Sequence, residues 1–597
     1  MKNKILISIA TIFLILFNSC QKDVLDKQPL DIITDAIVWN DQNLIDAYLT
    51  QTYANTYVFT QECSDNEPNG NSDVWFGFVH VLNLSDEVKH VWGPQAQGKN
   101  GTIRINGGTL EWWEPSYTVI RALNEFIKRV PESPVDDVFK KEKTAEARWI
   151  RAFNYFSMVK RYGGVPIITE PQSIDDPEET LYPKRNTEKE VYDFVISEMD
   201  AIINDLPDGA SATPGRASKG AALALKSRAA LYAGSIAQYG TVQLNGLLGI
   251  NSEEANTYYQ KSYEASKILM DEGDYALYNS DPDKVVNYQN IFLKKDHSEV
   301  IFAKKHTYTD KLAGGNGWSW DFFVGPSPNA WGGGTCITPY LEMIEEYEYI
   351  DGTPGTWDRD AVQQKLWTTD ELWANRDPRF YASICTQNTI WKGVPLQFYY
   401  GLRKPDGSLI YDGSYEGVAA KGNQVFTTIE RTGTGFGVLK YLDENKNMFG
   451  PVADSGTDYL VFRYGEILLN FAEAAFELGK TNEALDAINQ IRRRAGVAEL
   501  TSVDRNAIRH ERKIELAFEG HRYWDLRRWR TAVNDLTRSF SGIDYILDYE
   551  TRKYQIQVRP HIDGITNQPV FHEYNYYLPI TLARTGNNPN LVENPGY

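Results

Sequence analysis

The stretch from Asp504 to Trp529, DRNAIRHERKIELAFEGHRYWDLRRW, carries more charge than an ordinary core helix and more large apolar side chains than a solvated one. It has no proline and a single glycine, Gly520, and its spacing predicts a helix throughout. Opposite charges stand three apart at Arg512/Glu515, Glu519/Arg522, Arg522/Asp525 and Asp525/Arg528, where neighbours on one helical face pair. Interleaved with them are Ile508, Ile514, Leu516, Phe518, Tyr523, Trp524 and Trp529, so part of the charge is expected inside, paired. An ion-pair lattice that fixes how the helix docks is favoured over an acid/base catalytic cluster, because structural pairs perturb charges as readily as active sites do.

Composition narrows the rest. A chain of 597 residues, 42% apolar and 24% charged, is globular and long enough for a large core. Its formal charge of −19 argues against nucleic acid or an anionic membrane face as partner. Aromatics reach 13%, with 15 Trp and 36 Tyr, more than a core of this size needs, so some rings are expected on a surface, against a protein or a ligand.

The first residues address the compartment. Lys2 and Lys4 precede an apolar run from Ile5 to Phe17 and then Asn18-Ser19-Cys20, the pattern of an export signal over residues 1–19. The run is too short to span a bilayer as a mature helix. Cys20 after Ser19 resembles a lipoprotein box, in which the thiol is lipidated, with Phe17 and Asn18 in place of the usual Leu and small residue. Gln21-Lys22-Asp23 is similar to the charged signal that sends such lipoproteins outside the outer membrane. The expectation is a lipid-anchored, cell-surface protein. Cys63, Cys336 and Cys385 remain, enough for at most one disulfide.

Along the chain, helices are predicted from Asn40 to about Val58, from Glu111 to Val130 and from Asp137 to Tyr162, the last stopped by Gly163-Gly164 and Pro166. An internal repeat follows. Arg148, Arg151-Ala152 and Tyr155 recur as Leu225, Arg228-Ala229 and Tyr232, and again as Leu468, Phe471-Ala472 and Ala475, the spacing of the first helix of a tetratricopeptide unit. Val195, Met199, Ile202 and Pro207 fit one second helix, and Ala484, Ile488 and Ile491 another. Residues 274–459 read differently, as short β-prone runs such as Val300-Ile301-Phe302 among Gly, Pro, Asn and Trp, with a helix at Pro339 to Tyr347. The fold expected is mainly α: a tetratricopeptide-like scaffold of helical hairpins carrying a loop-rich binding region with short strands.

Catalytic and metal motifs are approached and missed. Gly93 to Lys99 has phosphate-loop spacing, but Asn100 stands where Ser or Thr would hold magnesium. His510-Glu511 begins a zinc-protease pattern whose second ligand position holds Ile514, and Asp443, Asn445 and Asn447 lack the glycine and closing Glu of a calcium loop. No cofactor and no metal is expected. What stands out is Gly314-Gly315-Asn316-Gly317-Trp318-Ser319-Trp320-Asp321-Phe322-Phe323, followed by Trp331 and Gly332-Gly333-Gly334. Such glycine content disfavours helix and central strand, so these rings are expected on a loop, where a Trp plane covers the C–H face of a sugar and nearby polar groups bond its hydroxyls. Asp73 and Trp75, in the turn-rich residues 60–108, form a second cluster on the same argument. The candidate ligand-binding residues are Asp73, Trp75, Trp318, Trp320 and Trp331.

Arg509, Glu511-Arg512, Glu515 to Gly520, Arg522 and Asp525 to Trp529 resemble the signature near the C-terminus of the SusD/RagB family of surface lipoproteins. Tyr162-Gly163-Gly164-Val165-Pro166, Tyr577-Leu578-Pro579-Ile580 and the tail from Asn588 to Tyr597 are similar to that family too. The resemblance implies a helical region over 20–273, a ligand-binding region over 274–459, and a signature region with tail over 460–597. It also implies a non-catalytic function: capture of an oligosaccharide or glycan and its delivery to a SusC-like TonB-dependent transporter in the outer membrane. The alternatives are a peptide-capturing member of the family and, third, a glycan-cleaving enzyme, for which no acid pair is singled out.

Overall fold

The computed structural model describes residues 38–60, 81–90, 99, 110–209, 211–307, 320–326, 336–420, 433–445, 455–564 and 568–597. Helix α1 (Gln42–Asn55) starts where the Asp41 carboxylate accepts the N–H groups of Asn43 and Leu44. After α2 (Trp113–Arg129), α3 (Asp137–Tyr162) begins at a similar cap, Asp136, and stops at Gly163 with φ +73°. Helix α4 (Glu188–Ile202) opens on a reciprocal capping box between Thr187 and Glu190 and packs back on α3 as a hairpin. Helices α5 (Lys219–Tyr239) and α6 (Ala255–Glu272) form the next hairpin, and α7 (Tyr464–Glu477) with α8 (Thr481–Ala495) a later one. The repeat's small residues Ala152, Ala229 and Ala472 are all fully buried, as close helix approach requires. Within α5 the approach is closer still at Gly234, where a Cβ would lie 2.9 Å from the Tyr259 ring of α6. The scaffold is therefore the one predicted, with α3 running over the predicted residues.

The two glycines that stop α3 do different work. Gly163 supplies the left-handed turn. At Gly164 a Cβ would stand 1.9 Å from the Asn186 carbonyl oxygen. Behind them Arg185 donates to the carbonyls of Tyr162, Gly164 and Val592, and the Asn594 amide donates to those of Tyr162 and Leu578. The stop motif and the C-terminal tail thus clasp one another. Gly164→Ala is expected to cost at least about 1–3 kcal/mol, because the wall it meets is backbone, and a lowered thermal midpoint would register it.

Strands are short and sit at the edges of the helices. Strand β1 (Val88–His90) and β2 (Val300–Lys304) come first; β3 (Ile337–Pro339) then pairs antiparallel with β1, Val88 opposite Pro339 and His90 opposite Ile337. Next are β4 (Leu366–Trp367), β5 (Gly401–Arg403), β6 (Leu409–Ile410) and β7 (Tyr459–Arg463), the last pairing with β2 through register shifts and delivering Arg463 beside Val300. Strands β8 (Gly542–Asp548) and β9 (Tyr554–Arg559) complete a five-stranded sheet in the order β4, β9, β8, β5, β6. That sheet draws strands from both sides of residue 459.

The stretch read as one helix is two. Helix α9 (Arg505–Glu515) and α10 (Arg522–Arg528) are separated by a turn in which Phe518 has φ +60° and Gly520 φ +77°. Such angles leave the α-helical region, so the i, i+3 pairing deduced from a continuous helix survives only within α10, as Arg528 with Asp525 at 2.8 Å.

Candidate functional site

The charges of the signature stretch are buried and paired, but mostly with distant partners. Arg463 donates to Glu299 and Glu515 through Nη1, to Glu519 through Nε and Nη2, each at 2.7 Å. Glu515 also receives Arg379 at 3.0 Å and Arg494, while Arg379 reaches Glu511 at 2.5 Å and Asp377 at 2.8 Å. Burial alone would push the Glu515 carboxyl up, yet Arg494, Arg463 and Arg379 outweigh it and hold the group well below the usual carboxylate range. A second knot joins Arg512, Asp525, Arg528 and Glu473. A third joins Asp86 to Lys513 at 3.0 Å and to Arg522 at 2.8 Å. Glu299, Glu511, Glu515 and Glu519 are all sealed from solvent. These groups hold helices together and reach no substrate.

One knot adjoins the pairing of β1 with β3. Asp86 and Glu87 lead directly into β1, and β1 lies against β3. The chain leaving His90 toward 91–98 therefore starts beside the chain arriving at Ile337 from 327–335. Lys99 clamps this corner. Its buried ammonium donates to the Val88 carbonyl and the Tyr340 hydroxyl, both at 2.9 Å, and sits 4.4 Å above the Tyr340 ring, itself stacked on Phe540. Burial pushes Lys99 down to about 8, against the opposing pull of Asp563, which accepts from the Tyr340 hydroxyl. The residue that sequence presented only as the end of a failed phosphate loop is a structural pin.

Of the five residues expected to meet ligand, Asp73, Trp75, Trp318 and Trp331 lie outside the described residues, as does the lipidation candidate Cys20. Trp320 is described and turned inward, 2% exposed, its indole N–H donating to the Lys440 carbonyl at 2.8 Å. The run Trp320–Val324 forms a helical turn rather than a continuation of the glycine-rich loop. Burial satisfies both the apolar ring and its one donor, so Trp320 presents no open platform. It is an anchor: Lys440 in turn donates to Glu519 at 2.8 Å, which fastens the base of this loop to the lattice.

Elsewhere among the described residues, a cleft of about 480 Å³ opens between α2, residues 166–183 and the tail, with Trp113 and Tyr117 half-buried in its wall. No group of three or more His, Cys, Asp or Glu among the described residues is placed to hold a metal ion.

Residues 298–597 match the model of the SusD family, and residues 23–231 match a second model described as starch-binding associating with outer membrane. The chain belongs to the SusD family. A SusD-like protein of Formosa agariphila is 25% identical over 545 residues, covering 88% of this chain and 92% of that one. A solved SusD-like protein of Bacteroides fragilis superposes with a TM-score of 0.71 at 26% identity, covering 96% of this chain and all of that one. A SusD-like carbohydrate-binding protein of the same organism gives 0.69 at 24% identity over 93% of this chain and 100% of its own, a likeness of fold. Within this SusD-family chain Cys336 and Cys385 are buried, and burial pushes both thiols up, that of Cys385 to about 12, so neither is a reactive thiolate. Among the described residues no helix is long and apolar enough to cross a membrane.

Proposed function

We propose that the chain captures an oligosaccharide or glycan at the cell surface and hands it to a SusC-like TonB-dependent transporter, without breaking a bond in it. The observation that supports this reading is the pairing of Val88–His90 with Ile337–Pro339, which joins the turn-rich residues 60–108, where Asp73 and Trp75 stand, to the strand that follows the glycine-rich run 314–334, at a corner held by Lys99. Aromatic rings suit a sugar chain, whose successive C–H faces they cover one by one. The names of the relatives point the same way, toward starch and other carbohydrates, and the second matched model is described by its association with the outer membrane. Lipidation at Cys20 supplies the anchor in this reading. Asp73, Trp75, Trp318 and Trp331 supply the contacts.

Changing Trp75, Trp318 and Trp331 singly to alanine is expected to weaken binding of the best glycan on an array by about tenfold or more for at least one of them. Calorimetry on lipid-free protein measures this, and unchanged affinity in all three would remove the loops from the site. The bound glycan is expected to be recovered uncut; its shortening during incubation would overturn the non-catalytic part.

A further inference from the structure

The cleft beside α2 has the chemistry of a ligand site in its own right. Trp113, Tyr117 and Arg121 succeed one another at four-residue intervals along one face of α2, with Glu114 and Thr118 next to them, all lining the opening. The Trp113 and Tyr117 rings are 5.3 Å apart and inclined at 60°. Both are held from behind: the edge of Trp113 meets Tyr162 at 5.4 Å, and the Tyr117 hydroxyl donates to the Pro166 carbonyl at 2.7 Å. Two rings fixed in this way present apolar surface without freedom to be lost on binding.

The polar groups around them are unspent. The Trp113 indole N–H, the Glu114 carboxylate, the Thr118 hydroxyl and the Asn587 amide make no hydrogen bond among the described residues, so both donors and acceptors face the opening. Among the described residues Arg121 engages one of its nitrogens, with the Gln172 carbonyl at 3.0 Å. Arg584 lies 5.2 Å from the Trp113 ring and is spent on Glu111, so the lining charges left to meet a ligand are Glu114, Glu170 and Arg121. An anion is disfavoured there, whereas a neutral, hydroxyl-rich ligand finds rings for its C–H faces and partners for its hydroxyls. The cavity, about 480 Å³, lies within the range of small-ligand sites, roughly 300–1,000 Å³.

We propose that this cleft is a second binding site, taking a neutral oligosaccharide against Trp113 and Tyr117, with Glu114, Thr118, Arg121 and Asn587 bonding its hydroxyls. The inference rests on the glycan-capturing reading above and adds to it a site that the aromatic loops do not build. A chain of sugars engaged at two places on one protein is held far longer than at either alone.

The test uses the lipid-free full chain, a panel of neutral gluco-, manno-, xylo- and galacto-oligosaccharides, and calorimetry with saturation-transfer NMR. The cleft variant carries E114A and N587A, both at exposed positions, and the loop variant carries W75A, W318A and W331A; unchanged thermal midpoints establish that each is folded. The expected result is that the loop variant retains a weaker site, and that adding the cleft changes weakens this residue of binding by about tenfold or more. If the loop variant loses all binding and the cleft variant matches wild type, the second site is refuted while glycan capture stands. If wild type binds no member of the panel, both fall. W113A serves as a further variant, and a wild-type titration from it would also refute the site.

Discussion

Arg463→Met is expected to give a chain that does not reach the native state. Five cations, Arg379, Lys440, Arg463, Arg492 and Arg494, are packed among six carboxylates, Glu299, Glu348, Asp377, Glu511, Glu515 and Glu519. Removing Arg463 takes one of the partners from each of three acids at once, Glu299, Glu515 and Glu519, and enlarges the excess of negative charge. Stripping one member from a buried pair costs about 3–5 kcal/mol. Whole domains are stable by only about 5–15 kcal/mol. Glu515→Gln is the control that makes the argument specific: it breaks contacts with three guanidiniums, yet brings cations and anions to equal number. It should therefore be the milder change, and Arg463→Lys, which keeps the charge but loses the fork, intermediate. Circular dichroism and protease resistance rank the three, and a methionine variant that melts with wild type would mean that packing, not charge, holds the signature helices.

Glu87→Gln is expected to stabilise the protein at pH 8 by up to about 3 kcal/mol and to change little at pH 5. Burial raises the Glu87 carboxyl from 4.5 to about 7, assisted by the adjacent Asp86 and opposed by the Phe518 N–H that Oε1 accepts at 2.9 Å. A proton held more tightly in the folded state than in the unfolded one contributes stability that is complete below about pH 4.5 and is lost as the pH rises through about 7. Glutamine keeps an acceptor for Phe518 and never ionises. Asp86 has the opposite sense: burial is overcome by Arg522 and Lys513, which hold it far below its ordinary value, so its contribution persists at neutral pH and is lost only in acid. Thermal midpoints of wild type and variant should diverge with rising pH; parallel curves would contradict the assignment.

The helices were readable because their signals are local. Asp136 and Gly163 bracket α3, and alanine spacing marks the hairpins. The burial of the signature charges was readable too, from the company they keep. Their partners were not. Arg463, Arg379 and Asp86 approach from far along the chain, and no periodicity within 504–529 announces them. Trp320 misled because its position after a glycine run looked like a loop, whereas Lys440, which gives its indole a carbonyl, lies 120 residues away. The α2 cleft escaped notice for the same reason: its walls come from residues 113–124, 166–183 and 584–591.

The order in which these charges are made has a bearing on how the molecule matures. A polypeptide emerging from its ribosome carries Asp86, Arg228, Glu299 and Arg379 long before Lys513, Glu466, Arg494 and Glu515 exist to neutralise them. Compacting early would bury those ions alone, which water strongly resists. Stable burial of the early ions therefore waits on the segment from Glu466 to Glu519, the part of the chain made late, and the lattice closes only once that segment is present.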